Sequence, residues 1–88
     1  MPSDSESSPK SMPGTANLTI DASGLSCPMP LLKAKQGLSR LQTGENLLLL
    51  ATDPGSVRDM QAYANLSPHT LIHFEAVDGV YQYILQKG

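Results

Sequence analysis

The run Leu47-Leu48-Leu49-Leu50-Ala51 constrains this chain more than any other stretch of it. Across Glu45-Asn46-Leu47-Leu48-Leu49-Leu50-Ala51-Thr52 apolar side chains occupy both parities over the length of a strand, so both faces of the segment must be covered. That makes it a central strand with a neighbour on each side. It is also the longest aliphatic run present, and it falls far short of the ~20 residues that a membrane-spanning helix needs.

The segments around this strand supply its neighbours and its cover. Leu18-Thr19-Ile20-Asp21-Ala22 alternates as a strand with one buried face does, and Gly24 breaks it. From Pro28 the spacing turns helical, with Leu31, Ala34, Leu38 and Leu41 on one stripe, Lys33, Lys35, Gln36 and Arg40 mostly off it, and Gly44 as the stop. This predicts a first helix over residues 28–42. Asp53-Pro54-Gly55-Ser56 offers an Asp cap ahead of a Pro at the first helical position. The second helix carries Val57, Met60 and Ala64 on its apolar stripe and stops at Ser67-Pro68. Two strands follow, Thr70 to Val77 and Val80 to Lys87, joined by Asp78-Gly79, a strong two-residue hairpin signal.

If Val77 faces Val80, then Ile72, Phe74 and Ala76 share the core face with Tyr81, Tyr83 and Leu85, while His73, Glu75, Gln82 and Gln86 share the other. The order β-α-β-α-β-β then predicts an α/β (α+β) two-layer sandwich, a mixed four-stranded sheet with two helices on one face. Whichever parity of Leu47 to Leu50 faces the core, its other two leucines join Leu71, Val77, Val80 and Ile84 on the open face, a candidate partner or self-association surface.

Composition narrows what such a domain can do. The chain has 88 residues, enough for one domain. Residues 1–16, rich in Ser, Pro and Asp, cannot repay the entropy of ordering and read as a disordered tail, leaving 17–88 as the folded domain. A net charge of -2 and a pI near 5.4 give no basic field for a nucleic-acid backbone, so no direct nucleic-acid binding is expected. The opening MPSDSESSPKSMPGTAN resembles no signal peptide, and the reading is a soluble cytoplasmic protein with no membrane association.

The chain holds a single cysteine, which excludes an internal disulfide, a CxxC redox pair and a multi-cysteine metal site. Cys27 precedes Pro28, and a residue before proline is pushed into the extended backbone that an N-cap adopts. Pro28 and Pro30 fall in the first turn, where a missing N–H loses no bond. The N–H groups of Met29 and Leu31, with the positive end of the helix dipole, then favour an anionic sulfur. Cysteines so placed fall from a pKa of about 8.5 into the range of roughly 3.5–7.5, and the thiolate is the nucleophilic form. The alternative is a small core hydrophobe, since free cysteine is among the most buried residue types. A loop-to-helix junction stiffened by prolines is a poor way to fill a core and a reasonable way to present a thiol.

"GLSCPMPLLKAK", "GENLLLLATDPGSVRDM" and "GVYQYILQKG" together resemble the TusA family of small sulfur carriers, also called SirA-like, across residues 18–88. Cys27-Pro28-Met29-Pro30 is similar to the family's CPxP signature. Pro68 departs from the glycine that many members carry directly before the His. The resemblance implies the two-layer fold and a sulfurtransferase-type carrier that turns over only with partner proteins. Cys27 would be the catalytic residue, accepting sulfane sulfur as a persulfide from a cysteine desulfurase or rhodanese-like donor and passing it to a downstream acceptor protein. The implied destinations are tRNA 2-thiouridine synthesis, molybdenum-cofactor maturation or a sulfur-oxidation relay. No cofactor and no metal are implied. A carrier needs an exposed thiolate, no resolving cysteine and no substrate pocket of its own, and this sequence meets those conditions. Two other classes remain open: a noncatalytic interaction module using the rigid CPMP turn and the open sheet face, and a thiol peroxidase resolved by an outside thiol.

The resemblance also assigns supporting roles. Asp53 and Arg58 match acidic and basic positions near the family's cysteine, where a guanidinium stabilises a thiolate, although Asp53 also reads as a helix cap and Arg58 as a surface partner of Asp59 or Glu45. Lys33, Lys35 and Arg40 form a basic strip beside the thiol, suited to an acidic partner or simply a solvated helix face. His69 and His73 are four apart, and along a strand such residues are separated by roughly 13 Å, too far to share a metal, so both read as structural or surface residues.

Overall fold

The structure, a computed structural model, describes residues 16–88. The expected tail therefore lies outside the described residues, apart from Ala16. The elements follow the expected order: β1 (Leu18–Ala22), α1 (Met29–Leu38), β2 (Asn46–Ala51), α2 (Gly55–Leu66), β3 (Thr70–Val77) and β4 (Val80–Gln86). They form one mixed sheet in the order β1-β2-β4-β3, with β1 and β2 parallel and the other pairings antiparallel.

The leucine run sits in the interior of the sheet, as its apolar faces require. Leu47, Leu49 and Ala51 join Ala22, Tyr83 and Leu85 in a core closed by Ala34 and Leu38 of α1 and Met60 of α2. Both helices thus cover the same face. On the opposite face Leu48 pairs with Ile84, and both are buried. Asp78 (φ 52) and Gly79 (φ 81) both take the left-handed conformation that a tight hairpin requires.

The fold departs from the sequence pattern in three places. First, α1 ends at Leu38, short of residue 42, and Leu41 reaches the core from a following turn. Arg40 and Leu41 make backbone bonds three residues back, and the Lys87 ammonium donates to the carbonyls of Leu38 (2.8 Å) and Leu41 (3.1 Å). Helical spacing cannot distinguish a residue buried by a helix from one buried by the turn after it.

Second, β3 carries a bulge. Leu71 pairs with Leu85 but His73 pairs with Ile84, so Ile72 is left out of the ladder and exposed. Leu71 packs against the core, not on the open face, and Ile72 leaves the core face assigned to it. Third, Pro54 occupies the N-cap position of α2, with no side-chain cap, so Asp53 does not cap this helix.

Candidate functional site

Parallel pairing of β1 and β2 sets Ala22 beside Ala51, so the loops leaving both strands emerge at one edge of the sheet. Each loop leads into a helix, and the starts of α1 and α2 converge there. Carboxyl ends of adjacent parallel strands are where open α/β sheets place their sites. The first loop is tied down by Gly24 N–H donating to Thr52 Oγ1 (2.9 Å) and by Leu25, which packs against the core. Beyond that anchor Ser26, Cys27, Pro28 and Met29 are all exposed, while Pro30 is fully buried beneath them. The turn protrudes on a buried proline.

Cys27 is exposed, which removes the core-hydrophobe reading. It is not the N-cap of α1, however. The Cys27–Pro28 peptide is cis, and Pro28 itself takes the N-cap position with non-helical dihedrals (φ -98, ψ 17). The Met29 N–H donates to Ser26 O (2.8 Å) and is therefore not available to the sulfur.

What reaches the thiol comes from the second helix. Cys27 Sγ donates a hydrogen bond to Asp59 Oδ2. Gly55, the first residue of α2, lies directly against the cysteine: a Cβ there would stand 3.5 Å from Cys27 Cβ, 3.9 Å from Sγ and 2.9 Å from Asp53 Oδ2. A side chain at position 55 would crowd the thiol and the carboxylate together.

These neighbours reverse the expected ionisation. The hydrogen bond to Asp59 raises the Cys27 pKa above the ordinary thiol value; partial desolvation and the negative charges of Asp59 and Asp53 add to it, and only the Arg58 guanidinium opposes. A thiol beside carboxylates keeps its proton, because the thiolate would be a further anion in the same place. The free protein presents a neutral thiol, not a preformed thiolate.

The remaining predicted residues divide. The Arg58 charge favours the thiolate, as the resemblance implies, whereas the Asp53 charge disfavours it and does not support the anionic sulfur. Among the described residues the one contact within 4.0 Å between a basic side chain and a carboxylate joins His73 to Glu75, so Arg58 is not paired with Asp59 or Glu45. Lys35 lies over the Tyr63 ring, 5.4 Å from its centroid. Arg40 sits past the far end of α1, about 15 Å of helix away from the thiol, and is not beside it. His69 accepts a hydrogen bond from Gly88 N–H through Nδ1 (3.0 Å), and burial, with the Lys87 charge, holds it below the usual imidazole value.

Sequence reasoning missed Asp59, Gly55 and the exposed apolar pair Met29 and Leu32. A signal existed for each. Gly55 and Asp59 are four apart, one turn of α2, with a glycine where a better helix former is otherwise favoured. Leu32 falls off the stripe of Leu31, Ala34 and Leu38 that packs inward, which leaves it and Met29 about 40% exposed on the first turn of α1.

Comparison with known proteins places the chain in a family. The chain is 40% identical over 69 residues to the sulfur carrier protein TusA of Allochromatium vinosum, a match covering 78% of this chain and 91% of that protein. Its fold is similar to the crystal structure of a SirA-like protein from Desulfitobacterium hafniense, with a TM-score of 0.72 and 29% identity over 81% of this chain and 97% of the other. The family model described as Sulfurtransferase TusA matches residues 18–87, and the chain belongs to the TusA family.

Proposed function

We propose that this protein is a cytoplasmic sulfur carrier in which Cys27 accepts sulfane sulfur as a persulfide and passes it to an acceptor protein. The observation that carries the reading is the exposed lone thiol, raised on a turn over buried Pro30 and held between the two helix starts. An exposed position lets a partner protein reach the sulfur and complete the reacting site around it. With no second cysteine in the chain, a persulfide on Cys27 has no internal thiol to discharge it as a disulfide.

The donor class is a cysteine desulfurase or rhodanese-like protein, and Met29 and Leu32, exposed on the first turn of α1, offer such a partner an apolar contact. Pro28 and Pro30 hold the turn, Asp53 and Arg58 set the charge around the sulfur, and Lys33 and Lys35 extend the contact along α1. Acceptors in tRNA 2-thiouridine synthesis, molybdenum-cofactor maturation and sulfur-oxidation relays all require the same outward-facing persulfide. The protein transfers sulfur only as one member of a relay, so its activity is measured with partners present.

The test is intact-protein mass spectrometry after incubation with a cysteine desulfurase and cysteine. Wild type gains one sulfur atom, which a reductant removes, and Cys27→Ser gains none. A normally folded wild-type protein that gains no reducible sulfur from desulfurase or rhodanese-type donors overturns the proposal.

A further inference from the structure

We infer that Asp59 is the general base of the transfer, taking the Cys27 proton as the sulfur–sulfur bond forms, an assignment that rests on the carrier reading above. A nucleophile and its base are recognised by a direct hydrogen bond between them. Here the thiol donates to Asp59 Oδ2, and the carboxylate is a fixed part of α2 on the turn that follows Gly55. The other charged groups acting on the sulfur do not share that contact: Asp53, from the loop between β2 and α2, and Arg58, from α2, act through space. From α1, Lys35 is engaged over Tyr63.

The acidities fit a base that works only during reaction. A carboxylate is a far weaker base than a thiolate, so at rest the proton stays on sulfur. As the Cys27 electron pair begins to bond to another sulfur, the S–H becomes strongly acidic and the waiting carboxylate takes its proton. The lone thiol is thus kept neutral between encounters, and it becomes nucleophilic where a donor is in position.

The step balances without any added oxidant or reductant. The Cys27 electron pair forms a bond to the outer sulfur of the donor's hydropersulfide. The donor's own S–S bond breaks, and its pair departs on the donor's cysteine sulfur. The Cys27 proton passes to Asp59 Oδ2 and from there to the departing thiolate. In sum, a thiol and a hydropersulfide exchange identities: Cys27 is oxidised to the persulfide level by the same two electrons that reduce the donor to a thiol.

The experiment compares wild type with Asp59→Asn and Asp59→Ala by two rates at neutral pH: alkylation of Cys27 by iodoacetamide, and sulfur uptake from glutathione hydropersulfide followed by intact mass. Alkylation reads the thiolate fraction alone. Loss of the carboxylate makes alkylation several-fold faster, because the thiol ionises more readily, and makes sulfur uptake slower by about tenfold or more, because the base is gone. Movement in opposite directions is not produced by a structural role or by simple loss of charge. Uptake that rises along with alkylation, or stays unchanged, in whichever variant is folded by circular dichroism overturns the assignment while leaving the carrier reading intact. Wild type that accepts no sulfur from the hydropersulfide or a desulfurase overturns the carrier reading and the role of Asp59 with it.

Discussion

At the scale of single residues, the chemistry turns on one proton. Because carboxylates raise the Cys27 pKa, the thiolate fraction at any pH below that value is smaller than for an unperturbed cysteine. Iodoacetamide should therefore alkylate the folded protein more slowly than the urea-unfolded chain at pH 7. The folded rate should climb about tenfold per pH unit to beyond the ordinary thiol value of about 8.5 before levelling. A folded protein that alkylates faster than the unfolded chain would contradict the placement of Asp59. Where the thiol sits was legible in the sequence, since a cysteine before proline at the start of an apolar stripe marks a junction. Its ionisation was not. The residue that decides it arrives from 32 positions away on another helix, and nothing local to Cys27 encodes that meeting.

Among the elements, α1 owes its position to contacts made at both of its ends. Its C-terminal carbonyls are held by Lys87, a residue that a reading of the sequence places at the end of a strand and nowhere near a helix. Lys87→Met keeps the length of the side chain but removes a cation and its bonds from the helix C-terminus, and should cost about 1–2 kcal/mol in urea unfolding. The backbone of Lys87 is engaged as well, donating to Glu45 O and accepting from Gly44 N–H, both at 2.8 Å. Long-range capture of this kind explains why periodicity overran the helix. The pattern through Leu41 was real burial, but the turn that delivers Leu41 is held by Lys87, just past the end of β4, which no helical spacing can express. The bulge at Ile72 was hidden because alternation assigns faces only while the ladder keeps its register, and here it shifts between Leu71 and His73. The order of the elements and the hairpin were local, and both were readable.

Across the whole molecule, the site and the core are joined by one buried polar contact. Ser56, in the first turn of α2, and the Tyr83 hydroxyl of β4 lie 2.7 Å apart in the interior, which fixes the helix carrying Gly55, Arg58 and Asp59 to a central strand of the sheet. Tyr83→Phe leaves the Ser56 hydroxyl buried without that partner and should cost about 1–3 kcal/mol, read by urea unfolding. The overall architecture followed from the sequence because a doubly apolar strand, two amphipathic stripes and one tight hairpin admit few arrangements.

The parallel pairing of β1 with β2 has a consequence for how this chemistry can be inherited. The cysteine and its turn form a short continuous segment, which looks portable, yet the proton's destination is supplied by the next crossover along the chain. What must be passed on intact is a corner shared by two successive strand-to-helix units. The proline motif alone is only half of a working part, and a scaffold that borrows it without the neighbouring unit acquires a thiol but no partner for its proton.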